Sequence, residues 1–182
     1  TYASDTTAQV PGAALSVARR SAGATGNSTH GYFGGGTPGP KSTMDKLTYA
    51  SDTTAQVPGA ALSVARKRLA ATGNSTHGYF GGGGPSPVST MDKVTYASDT
   101  TAAVPGAALS LARYAMGATG NSTHGYFGGG APSKSTMDKL TYASDTTAVV
   151  PGAALSAARQ YLAATGARAN GASDVSAVPV II

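Results

Sequence analysis

A chain of 182 residues with no cysteine and no tryptophan cannot hold a disulfide, a thiolate metal site or a cysteine nucleophile. Its 13 Lys and Arg face 8 acidic residues, all of them Asp, for a net charge of +5; only 12% of residues are charged, and the longest basic run is Arg66-Lys67-Arg68. That is too sparse for a nucleic-acid footprint, and with no run of about 18 apolar residues and no basic-then-apolar leader, neither membrane insertion nor a signal peptide is expected. Thr1 in place of Met is what a processed or excised chain would show. The 41% apolar fraction comes mainly from Ala and Val, so a core must be built from closely approaching backbones and small side chains.

A period of 46 to 47 residues runs through nearly the whole chain, dividing it into units 1–47, 48–94, 95–140 and a shorter 141–166, followed by a segment 167–182. Each unit opens T-Y-A-S-D-T-T-A, continues through V-P-G-A-A-L-S and an Ala-Arg pair, and reaches A-T-G. The first three then run through N-S-T-H-G-Y-F-G-G-G to S-T-M-D-K, and the fourth loses that half. Within a unit, Gly26-Asn27-Ser28 and Gly34-Gly35-Gly36 with Pro38 and Pro40 are turn chemistry, since Gly and Asn tolerate positive φ and Pro holds φ near −65°. Between the turns lie four short strands per period, in the first instance 18–25, 31–33, 43–50 and 53–57; a helical turn or two around 15–24 is the second reading. Four strands every 40 to 50 residues predict an all-β fold, a β-propeller of about four short blades, with a longer or open repeat array as the alternative. For a ring, the last strands would pair with the first, and 175–182, of strand composition, would close the ring or dock on a neighbour.

The candidate chemistry is repeated, not unique. His30, His77 and His124 recur in turns and invite a three-histidine metal site, although the fourth unit has Asn170 at that place, so surface turn histidines are expected and no metal or other cofactor. Asp5, Asp52, Asp99 and Asp145 recur with Arg19, Arg66, Arg113 and Arg159, which predicts a structural Asp–Arg pairing within or between blades. Asp45, Asp92 and Asp138, each between Met and Lys, read as exposed strand charges. The glycine runs lack the phosphate-loop and dinucleotide spacings, no serine sits in a G-x-S-x-G elbow, and no copy of a titratable residue is singled out; a catalytic role is not expected. The Tyr32-Phe33 pair and its copies read as core more than as a sugar-stacking surface. Where copies diverge, the turns 37–41, 84–88 and 131–134 offer Thr37, Lys41, Pro85, Val88, Pro132 and Lys134 as contact residues for a partner.

Two resemblances sharpen this. Arg19, Arg66, Arg113 and Arg159 ahead of a small-residue strand, Tyr32-Phe33-Gly34-Gly35 with its copies at Tyr79 and Tyr126, and Tyr49, Tyr96 and Tyr142 on outer strands resemble the kelch repeat, without its Trp in the last strand. Thr25-Gly26-Asn27, Gly31 to Gly36 and Tyr49-Ala50-Ser51-Asp52-Thr53-Thr54-Ala55 resemble more closely the repeat arrays of structural proteins of tailed phages that infect cyanobacteria. That resemblance implies a virion component of the tail, tail fibre or capsid surface, located in the virion or outside the cell, whose variable loops touch other subunits or a host-surface glycan. A cellular or secreted kelch-type protein-binding module is the alternative.

Overall fold

A computed structural model describes residues 7–164 and lays them out as three antiparallel four-stranded sheets, one per repeat. Sheet one holds β1 (Gly23–Gly26), β2 (His30–Gly34), β3 (Met44–Thr48) and β4 (Thr53–Gln56). Sheet two holds β5 (Ala70–Gly73), β6 (His77–Gly81), β7 (Met91–Thr95) and β8 (Thr100–Ala103). Sheet three holds β9 (Gly117–Gly120), β10 (His124–Gly128), β11 (Met137–Thr141) and β12 (Thr146–Val149). Every sheet is a meander whose neighbours in sequence are neighbours in space.

Local chemistry explains the turns. Between β1 and β2 the Asn27 side-chain carbonyl accepts the N–H groups of Thr29 and His30, each at 2.9 Å, and Asn74 and Asn121 do the same in their units. Between β3 and β4 the chain passes through Asp52 at φ 51°, with Asp99 and Asp145 at 52° and 51°, a left-handed conformation that Asp tolerates. After each fourth strand a single 310 turn, Pro58–Ala60 in the second unit, uses Pro where its missing N–H costs nothing.

Register decides the faces. Tyr32 stands opposite Lys46, Phe33 opposite Asp45 and Gly31 opposite Leu47. Alternation therefore sends Phe33, Asp45 and Leu47 to one face, termed front, and Tyr32, Lys46 and Met44 to the other, termed back. The sheets stack in sequence, β1 on β5 and β5 on β9, with the front of one against the back of the one before. Tyr32, Met44, Leu69, Phe80 and Val94 fill the first interface; Tyr79, Met91, Met116, Phe127 and Leu140 fill the second. Glycine makes room for the phenylalanines: a Cβ on Gly81 would stand 2.9 Å from the Phe127 ring, and one on Gly34 3.1 Å from Phe80.

The all-β repeat architecture is as expected, but no closed ring or barrel forms among the described residues. The first strand is shorter than the 18–25 anticipated, because residues 14–22 and their copies run as an irregular loop whose backbone is spent between units: the Arg68 N–H donates to Ser21 O, and the Ala115 N–H to Arg68 O, both at 2.8 Å. Asp5, Asn170 and the closing segment 167–182 lie outside the described residues.

Candidate functional site

The repeated charged residues are the first place to look for chemistry, and they form two separate systems. Arg66 leaves the loop before β5 and reaches across sheet two. Its guanidinium donates to Asp92 at 2.5 Å and to the carbonyls of Gly82 and Thr90, both at 2.8 Å. Arg113 meets Asp138 at 2.8 Å, and Arg19 meets Asp45 at 2.9 Å, with all of these side chains 0–1% exposed. Burial pulls the Arg66 and Arg113 guanidiniums below their ordinary value, and the facing carboxylates oppose that pull.

The structural pairing expected of Arg with Asp is therefore present, but with other aspartates. Asp45, Asp92 and Asp138, read from sequence as exposed strand charges, are fully buried partners, since their place in the alternation is the front face under the arginine loop. Arg159 is exposed. Among the described residues its side chain reaches the Ala157 carbonyl, at 3.4 Å, and no aspartate.

The second system ties one unit to the next. Asp99, in the turn after β7, accepts the Tyr32 hydroxyl of sheet one at 2.6 Å and pairs with Lys46. Asp145 accepts Tyr79 at 2.5 Å and Lys93 at 2.7 Å. Tyr96 stacks on Tyr32 with centroids 4.8 Å apart, and Tyr142 on Tyr79 at 5.1 Å. Burial alone would raise the Asp99 and Asp145 carboxyls, but the bonds from lysine and tyrosine hold both below the ordinary carboxylate value. Burial, joined by the facing aspartate, pushes the Tyr32 and Tyr79 hydroxyls up. Asp52, the copy in the β3–β4 turn of sheet one, is exposed. No sequence argument singled out this Tyr–Lys–Asp link, although the constant spacing of its members in the repeat was a usable signal.

The turns gather at two ends. At one end His30, His77 and His124 each hold the neighbouring Thr hydroxyl at 2.8 Å through Nδ1, in separate turns; no group of three or more described His or Asp residues is placed to hold a metal ion. A cleft between the first two of these turns, about 430 Å³, is lined by Asn27, Thr29, His30, Thr76, His77 and Tyr96. At the other end lie the divergent turns. Thr37 is buried and exchanges backbone bonds with Arg20, while Lys41, Val88 and Lys134 form backbone bridges to Arg66, Arg113 and Arg159 of the next unit. Pro85 and Pro132 are exposed, as are the tips 38–40, 85–87 and 132–133. Of the six expected contact residues, four have their main chain committed, Thr37 within its own unit and Lys41, Val88 and Lys134 in joining one unit to the next, and the free surface is narrower than composition implied. No protein-family model and no curated protein matches this sequence.

Proposed function

We propose that this chain is a structural and adhesive scaffold without catalytic activity: a phage virion component of the tail, tail fibre or capsid surface that displays short variable turns to other subunits or to a host-surface glycan. The observation that carries the reading is the use to which its charged groups are put. The buried Arg–Asp pairs lock each sheet, and the Tyr–Lys–Asp links lock each sheet to the next, in equivalent copies. Chemistry spent identically in successive units suits a stiff display frame; catalysis would call for one copy to stand apart.

Within this reading the scaffold is an open array and not a four-bladed propeller ring. What supports that form is Tyr49, 45% exposed where a closing blade would cover it, while its copies Tyr96 and Tyr142 are 8% and 6% exposed. The exposed tips at 38–40, 85–87 and 132–133 are the display surface. Mass spectrometry of purified particles together with a glycan array of the isolated chain tests the proposal. The expected result is a fixed copy number per particle, or glycan binding that is lost when the three tips are replaced by Gly-Ser. Absence from particles combined with tight capture of one cellular protein would replace it by the protein-binding-module reading.

A further inference from the structure

Because the three sheets are equivalent, the internal interfaces describe what each outer face is shaped to meet. Inside the stack, a back face offers a tyrosine hydroxyl, a lysine and a glycine slot, and the next front face fills them with an aspartate and a phenylalanine. Both halves recur at the two ends without their counterparts among the described residues. On the front of sheet one, Phe33 and Leu47 are half-buried, whereas Phe80, Phe127, Val94 and Leu140 are 0% exposed; Tyr49 and Asp52 are exposed. On the back of sheet three, Tyr126 and Lys139 have no carboxylate partner among the described residues, and no phenylalanine fills the space above Gly128, where a Cβ would meet its own Met137 and only the fringe of Leu155.

We propose that the front of sheet one docks on the back of sheet three of a second copy, head to tail. Asp52 then accepts from Tyr126 and Lys139, Tyr49 stacks on Tyr126, and Phe33 enters the space over Gly128, reproducing across the contact the link made twice within the chain. The charges are opposite, Asp52 on one face and Lys139 on the other, and the two faces of one molecule differ, so the contact is heterologous and propagates into a filament. The inner margin of the receiving face already carries residues 153–164, with Leu162 against Gly117 and Gly129. That segment matches 13–24 at seven of twelve positions, but Leu162 aligns with Ala22, so the arriving copy gives up the leucine contact there and has to outweigh it with the outer contacts that 153–164 lacks. This inference rests on the array reading above and names its partner.

Sedimentation velocity of the full 182-residue chain over a concentration series tests it, using wild type, Asp52→Lys, Lys139→Glu and their equimolar mixture. Wild type should associate with concentration. Each single variant, placing like charges against each other, should associate about ten-fold more weakly or worse, and the mixture, in which every contact again joins opposite charges, should recover. Should either variant lose its β-sheet circular dichroism, Asp52→Asn and Lys139→Gln replace the pair, with weakened association still expected. A chain that stays monomeric up to millimolar concentration, variants that associate as well as wild type, or a mixture that fails to recover would each overturn self-docking. A monomer whose front and back faces close on each other belongs to the first of these outcomes. None of them touches the particle and glycan measurements, so the scaffold reading stands or falls separately.

Discussion

Arg66 and Arg159 occupy the same place in the repeat and have opposite surroundings. Removing the Arg66 side chain leaves the Asp92 carboxylate buried without its charge partner, a loss of about 3–5 kcal/mol. Arg159, exposed and with no aspartate partner among the described residues, should change stability by no more than about 0.5 kcal/mol. Urea unfolding of Arg66→Ala and Arg159→Ala measures both, and equal losses would show that the buried pair is not what holds the sheet. The Tyr–Lys–Asp links set the pH range. Asp99 and Asp145 titrate lower in the folded chain than in the unfolded one, so their contribution is complete above the ordinary carboxylate value of about 3.9 and disappears as pH falls through the lower folded values. His77, lowered by burial and by Lys93, adds a mild loss that begins as pH falls past about 6.5. Tyr32 and Tyr79 are raised, so above about pH 10 the unfolded chain releases its phenolic protons first and stability falls as pH rises. Urea midpoints should be level between about pH 7 and 9 and decline on both sides, with a shallower alkaline limb in Tyr79→Phe; a midpoint level to pH 11 would contradict the links.

At the scale of the strand, identical sequence has unequal value. H-G-Y-F-G forms β2, β6 and β10, and its phenylalanine always points to the front face. Phe80 meets the back of sheet one, so Phe80→Ala should cost about 3–5 kcal/mol. Phe33 has no sheet before it among the described residues and is only half-buried, so in dilute solution Phe33→Ala should cost about 1–2 kcal/mol. Thermal melts at low protein concentration compare the two, and a Phe33 loss as large as that of Phe80 would mean that the front of sheet one is covered. The strands themselves were legible in the sequence because the glycine, asparagine and proline turns bracket them. Residues 14–22 were not: a run rich in Ala, Leu and Arg satisfies strand and helix propensities alike. Its actual course is set by backbone bonds to the neighbouring units, which no local pattern encodes.

For the molecule as a whole, stability comes from each sheet and from its nearest neighbour, the behaviour of a quasi-one-dimensional repeat. The period, the four strands in each unit and the all-β class were determined by the sequence alone, because turn residues at fixed spacing restrict the backbone wherever they stand. The recurrence of Arg and Asp likewise announced a structural pairing. Which aspartate each arginine takes was decided only by the tertiary structure, since strand alternation sends Asp45, Asp92 and Asp138 to the front face beneath the arginine loop, while Asp99 and Asp145 reach back to the preceding sheet. How far the two end faces are covered among the described residues was decided there too. It depends on how sheets stack in space, and a repeat written along a line carries the same letters whether its end units are covered or bare.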